Sequence, residues 1–281
     1  MFGRRQTPAK TAEQLVRMRR AGLLVGQTLE MLRGELRDGR TTLELDALAE
    51  EFIRSHGGVP NFQLVPGYAH TLCTSVNDEV VHGIPGSRVL HDGELISVDC
   101  GAELEGWNGD AAFSAIVGGP EAGTSPDREL VAVTEGALWA GITALSVGER
   151  LYAVGEAVEE SIESAGREHG HVYGIIEEYV GHGIGRSMHE DPQIPNYGVR
   201  DRGPVVRSGF TGAIEPMVTW GGSETRVLAD DWTVVTTDGS RAAHWEHSVA
   251  VTDAGLTVLT AVDGGAARLG RSGVAYASLD A

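Results

Sequence analysis

Apolar residues recur at Leu15, Met18, Leu23, Leu24 and Met31, the three-to-four spacing of one helix face. Thr11 and Gln14 stand just ahead of them in the S/T-x-x-E/Q form of a capping box, which predicts a helix running to about Leu32. Thr41 and Glu44 repeat the device and open a second helix through Leu48, Phe52 and Ile53, stopped at Gly57 and Gly58. From Tyr68 the pattern shortens. ELISVDCGA and AAFSAIVGG are rich in small and β-branched residues and bounded by glycine, as strands and hairpins are. A helix is expected again at Ser125 and Pro126, where serine can cap and proline suits the first turn, and another at about Leu151 to Ala165. Beyond Gly170 strand character resumes in YGIIEEYV, TGAIEPMVTW, WTVVTTD and EHSVAVTD.

The order helix–helix–strands therefore occurs twice, over roughly 11–120 and 125–260, with no Pro/Ser-rich linker between. This favours one α+β domain of two related halves, helices outside and strands inside. Residues 1–10 read as a disordered arm, 11–262 as the single domain, and 263–281, with GGAARLGRSG, as a disordered tail.

Forty acidic against 22 basic residues leave a net charge of −18, a poor surface for nucleic acid, which needs clustered Lys and Arg. No apolar run approaches the ~18 residues that would span a membrane. MFGRRQTPAK has basic residues but no apolar segment behind them, so it does not read as a secretory signal. Cys73 and Cys100 make no disulfide framework, and a cytoplasmic protein is expected.

Four acids stand in strand-like, otherwise apolar settings, where a carboxylate is costly to bury unless it is paired or bound to metal. Asp99 and Asp110 lie eleven residues apart and can converge from a hairpin. Glu215 is held extended by Pro216 in TGAIEPMVTW, and Glu246 follows Trp245 ahead of a buried strand. Each alone reads as a turn or solvent-facing acid. GHGIGRSMHEDPQIPNYG adds His182 and His189, seven residues apart. A helix would put both on one face, but Gly181, Gly183 and Gly185 each cost it about 1 kcal/mol relative to Ala. The zinc-peptidase pattern H-E-x-x-H fails because Gln193 replaces the second histidine. Four carboxylates and an imidazole carry charge for two divalent cations, and oxygen-rich ligation suits Mn, Fe, Co or catalytic Zn. Such a pair activates water as a nucleophile.

VHGIP (81–85), VDCGAELEGWNGDAA (98–112), GHGIGRSMHEDP (181–192), IEPM (214–217) and HWEHSVAVTD (244–253) occur in this order. Together they resemble the type I methionine aminopeptidases of the pita-bread (creatinase/aminopeptidase-like) fold, over about residues 11–260. The resemblance implies two pseudo-symmetric halves around a central antiparallel sheet and two divalent ions (Co, Mn, Fe or Zn). It places the metal ligands on Asp99, Asp110, His182, Glu215 and Glu246, with Glu215 also a proton acceptor. His189 would hydrogen-bond the scissile region and His82 would contact the substrate amide and assist the leaving amine. A methionine pocket would be walled by Tyr68, Cys73, Met188 and Trp232, with Phe62 and Val65 beside them. LVPGYAH keeps only one of two tyrosines common in relatives, and Met188 stands where phenylalanine is frequent. The implied activity is removal of the initiator methionine from nascent chains with a small second residue, by a cytoplasmic monomer, with the ribosome a candidate partner.

The nearest alternative is a proline-directed peptidase of the same fold, but those carry a large N-terminal domain and only about 60 residues precede the first strands here. The short segment between His182 and Glu215 argues against the type II enzymes, whose insertion lies there. A metal-free binding module of this fold would have lost ligands, and none is lost.

Overall fold

Both capping boxes form as their spacing demands. In the computed structural model, which describes residues 9–279, α1 (Ala12–Arg33) and α2 (Thr42–Ser55) each begin with a threonine hydroxyl accepting the N–H three residues on. The Gln14 and Glu44 side chains accept back from the threonine N–H groups. In the second half α3 (Ser125–Thr143) is capped by Thr124 rather than Ser125. Thr124 sits extended with its hydroxyl free to accept from Asp127, which leaves Ser125 already helical. The fourth helix, α4 (Ala153–His169), has no side-chain cap and ends at left-handed Gly170.

The first-half strands are β1 (Val59–Pro60), β2 (Leu72–Val76), β3 (Glu79–Val81), β4 (Leu95–Leu104) and β5 (Trp107–Ile116). The second half adds β6 (Gly174–Ile175), β7 (Gly181–Gly183), β8 (Glu190–Ile194), β9 (Phe210–Ile214), β10 (Met217–Thr219), β11 (Thr225–Val227) and β12 (Val234–Thr236). It ends with β13 (Ala242–His244), β14 (Glu246–Thr252) and β15 (Gly255–Val258), followed by α5 (Ala266–Arg271). YGIIEEYV contributes only the short β6, because pairing with β10 covers Gly174 and Ile175 alone. The run TGAIEPMVTW is split into β9 and β10 at Glu215–Pro216, where proline has no N–H for the ladder.

Nine strands make one antiparallel sheet, with the path β1-β4-β5-β14-β9-β7-β8, β2 also on β4 and β15 also on β14. The halves meet at the β5–β14 seam, where Glu246 pairs with Ala112. Val98, Phe113, Ile214 and Val249 point to the helix side and pack with Leu24 and Val25 of α1 and Leu130 and Leu138 of α3 in the main core. Helix α1 lies close on β5 because Gly22 meets Gly109; a Cβ on Gly109 would stand 2.7 Å from the Gly22 Cα. The alternate residues of the same strands, including Asp99, Asp110 and Glu246, face away from the helices.

Both ends of the chain depart from expectation. The tail, read as disordered, forms α5 with Leu269 fully buried, and Tyr276 bridges to Leu256. Arg268 there pairs with Glu135 at 3.1 Å and lies over the Trp139 ring. One leucine and one arginine anchor a segment whose glycine-rich composition hides them. Residues 1–8 of the expected arm, and 280–281 of the tail, lie outside the described residues. Lys10, within that arm, is tied down: its N–H donates to the Gly209 carbonyl at 2.8 Å.

Candidate metal centre

Strand register alone gathers the acids. Asp99 on β4 pairs with Ala112 on β5, and Ala112 pairs in turn with Glu246 on β14. Asp99 and Glu246 thus flank a methyl side chain that leaves room between them. Asp110 lies one two-residue step along β5, opposite Gly101, and so on the same face. On the other side of β14, His247 pairs with Ile214, so Glu215 faces Glu246 one step beyond. His182 on β7 pairs with Ala213, which pairs with Ser248, completing the row.

The resulting ligand atoms fall into overlapping groups. One oxygen each of Asp99, Asp110 and Glu246 lie within 4.8 Å of one another, as do atoms of His182, Glu215 and Glu246. Asp110, His182 and His189 form a third such group. The His182 Nε2 lies 3.6 Å from Glu215 Oε1. Its Nδ1 sits 2.9 Å from the Gly183 carbonyl; an N–H donated there leaves the Nε2 lone pair facing the acids. This orientation needs a strand, not a helix. Gly181 and Gly183 permit it, since a Cβ on either would meet a neighbouring carbonyl oxygen at 2.3 and 2.4 Å respectively.

Asp99 Oδ1, Asp110 Oδ1 and Glu246 Oε1 are buried without a hydrogen-bond partner among the described residues. Burial pushes all four carboxyls up: Asp99 to about 7, and Asp110, Glu215 and Glu246 well above the carboxylate range. Neighbouring acids add to the rise at Asp110, Glu215 and Glu246. Burial, with His189 nearby, lowers His182 to about 4, so its imidazole is neutral and able to ligate. Such a cluster cannot keep its negative charges unaided, yet presents free lone pairs at short separation. Divalent cations fit this donor set.

The two histidines outside the ligand set stand at the edge of the same cleft. His189 lies at the exposed end of the β7–β8 connection, its ring 4.3 Å from that of His182 at 75°. His82 follows β3 with a left-handed φ of 59°, its ring edge-on to Tyr179 at 5.4 Å. Burial lowers both imidazoles below their ordinary value, and His189 adds to the effect at His82.

Beside the acids is an apolar cluster. Phe62, Tyr68 and Cys73 are buried together, with Val65, Met188 and Trp232 packed against them, which brings all six sequence-assigned wall residues into one cluster. Cys73 pairs with Asp99 across β2 and β4, so the cluster lies beside the acids. Burial raises the Cys73 thiol, with Asp99 adding to it, which suits a wall rather than a nucleophile. The Tyr68 hydroxyl donates to the Leu72 carbonyl at 2.7 Å and its ring meets Trp232 edge-on at 4.9 Å. Ile84 completes the wall and was missed from sequence. Its signal was available as the apolar residue two positions past His82 in VHGIP.

Residues 16–253 match the model of metallopeptidase family M24. The chain belongs to this family. It is 48% identical over 259 residues to methionine aminopeptidase 1 of Mycobacterium tuberculosis, covering 92% of this chain and 96% of that one. Methionine aminopeptidase 1 of Bacillus subtilis is 44% identical over 253 residues, covering 90% of this chain and 98% of the relative. The solved methionine aminopeptidase of Thermotoga maritima superposes with a TM-score of 0.85 at 40% identity, over 91% of this chain and all of that one (100%). Prolidase from Pyrococcus furiosus matches at a TM-score of 0.62 and 19% identity, with only 65% of its chain covered, and shares the fold alone. The M24 chain has the pita-bread fold, and it is a metal-dependent hydrolase.

The raised carboxyls set the pH response to chelation. A carboxyl whose pKa is raised on folding binds its proton more tightly in the folded chain, so its contribution to stability falls as pH rises from the unfolded value of about 4. For Asp99 this loss extends to about 7. Metal removes the penalty by competing with the protons. Chelated protein should therefore melt at progressively lower temperature between about pH 5 and pH 8, and the gap to metal-loaded protein should widen. Thermal unfolding with and without chelator checks this; a gap constant with pH would contradict it.

Proposed function

We infer that this M24 chain is a type I methionine aminopeptidase that removes the N-terminal methionine of peptides and nascent proteins in the cytoplasm. The observation that carries the reading is the junction at Cys73–Asp99, where an apolar cluster lies directly beside the grouped acids and His182. Asp99, Asp110, His182, Glu215 and Glu246 hold two divalent ions in this reading, of Mn, Fe, Co or Zn. The bound ions supply a positive field that polarises the scissile carbonyl and makes water acidic enough to attack near neutral pH.

The chain's own residues do the rest. Burying a methionine side chain against Phe62, Tyr68, Cys73, Met188 and Trp232 contributes about 1.5–3 kcal/mol and fixes the amide over the acids. Thioether flexibility lets Met188 close on the substrate side chain. Glu215 accepts the proton of the attacking water at its carboxylate. His189 donates an N–H to the oxygen that gains charge as the carbonyl becomes tetrahedral. His82, fixed after β3 and edge-on to Tyr179, contacts the amide nitrogen and assists its protonation as the amine leaves. In the same reading the second residue of the substrate is small.

Protein stripped with chelator and reloaded with single metals tests the reading on Met-Gly, Met-Leu and Xaa-Pro peptides. Methionine release should be fastest from Met-Gly. Cleavage of Xaa-Pro peptides without methionine release would instead assign the proline-directed activity.

A further inference from the structure

We propose that Lys10 is a positioning residue for His189, holding the loop that carries it through a partly buried ion pair with Glu190; this rests on the reading of His189 as a substrate-contacting group. The Lys10 Nζ lies 2.9 Å from Glu190 Oε2, and their side chains are only 6% and 22% exposed. The other carboxylate oxygen, Oε1, accepts from the Ser187 N–H at 3.2 Å. One carboxylate therefore clasps both ends of the stretch Ser187–Met188–His189–Glu190. Gly185 makes the space, since a Cβ there would stand 2.6 Å from Glu190 Oε1 and 2.8 Å from the Lys10 Cε.

Backbone pairing of Glu190 with Gly183 fixes where the loop rejoins the sheet, and other contacts hold its near side. Asn108 on β5 donates to the carbonyls of Gly185 and Arg186 at 3.2 and 3.1 Å, and Arg186 lies 4.1 Å over the Trp107 ring. Among the described residues no hydrogen bond fixes the His189 imidazole itself. Its place over the cleft then depends on the backbone of Ser187–Glu190, whose β8 end is held by the sheet and whose Ser187 end is held by the Glu190 carboxylate. Lys10 is itself fixed, by its N–H on the Gly209 carbonyl at the start of β9. The ammonium thus ties the catalytic loop to the central sheet from a position 180 residues away in sequence.

Removing one partner of a partly buried pair leaves the other charge uncompensated, so Glu190 would turn towards water and release the Ser187 end of the loop. Misplacing a reacting group by about 1 Å can cost up to ~100-fold in rate. Lys10→Met keeps the stem and removes the charge. Metal-loaded Lys10→Met is expected to lose about tenfold in kcat on Met-Gly peptide, with KM and bound metal near wild type. Lys10→Arg should recover most of that loss and Glu190→Gln should reproduce it.

The deciding measurement is a double-variant cycle with His189→Ala, run well below every variant's melting temperature. Acting through His189, Lys10→Met should cost nothing further in the His189→Ala background. Losses that multiply would overturn the proposal. So would Lys10→Met with a lower melting temperature but full kcat, which would make the ion pair purely structural, or Lys10→Met that loses metal. Wild-type protein that releases no methionine would instead overturn the underlying function, and the proposal with it.

Discussion

Asp110→Asn is expected to strip most of the metal from the protein and lower methionine release by a thousandfold or more. Asp110 sits where β5 turns its side chains to the acidic face, within ligand distance of Asp99 and Glu246 and also of His182. Asp110, like His182 and Glu246, belongs to two of the three overlapping groups, so the change loosens both of those it joins. An amide keeps the shape but removes the charge that offsets the cation, and metal assistance supplies several kcal/mol of transition-state stabilisation, about tenfold in rate per 1.36 kcal/mol. A second readout separates this from misfolding. Asp110 is buried, 4% exposed, with a carboxyl pushed up by burial and by Asp99. Removing that carboxyl relieves chelated protein of the cost of ionising it. Chelated Asp110→Asn should melt above chelated wild type near pH 8, and the two should converge near pH 5. Metal content by elemental analysis and melting curves at both pH values decide the matter; a variant with full metal and activity within tenfold would refute the assignment.

Local signals explain which parts of this arrangement were legible. Thr11 and Thr41 announced their helices because a capping box is complete within four residues. The hairpin bringing Asp99 to Asp110 turns on Glu105 and Gly106, both at positive φ, so that pair too is set by contiguous chain. Glu215 against Glu246, and His182 against both, depend on registers between strands far apart in sequence. Nothing local specifies those registers, and the five motifs in order supplied them only as a resemblance. Lys10 was misread for the same reason, since its partner is 180 residues away and its own neighbourhood is polar and proline-containing. The tail was misread because a single buried leucine, Leu269, carries little weight in a composition dominated by glycine and arginine.

His189→Ala should keep its metal and still lose roughly a hundred- to thousandfold in kcat, the usual cost of one donor to a developing oxyanion. Geometry leaves both a ligand and a substrate role open, because His189 lies within 4.8 Å of Asp110 and His182 ligand atoms. Surroundings separate the two. The His182 ring is buried, 8% exposed, and its Nδ1 contacts the Gly183 carbonyl, the oriented and water-excluded setting in which ligating imidazoles are held. His189 is the more exposed residue of the two, its imidazole only partly withdrawn from water at the cleft edge, and among the described residues neither nitrogen has a hydrogen bond. An imidazole lowered by burial is neutral at working pH, so it retains one N–H to give to a carbonyl oxygen as charge grows there. That donation strengthens in the transition state, so the loss should fall on kcat and leave KM nearly unchanged. His182→Ala should behave in the opposite way and lose metal first. If His189→Ala also releases metal, both histidines are ligands, and the donor to the oxyanion has to be sought among the cleft's remaining groups, beginning with His82.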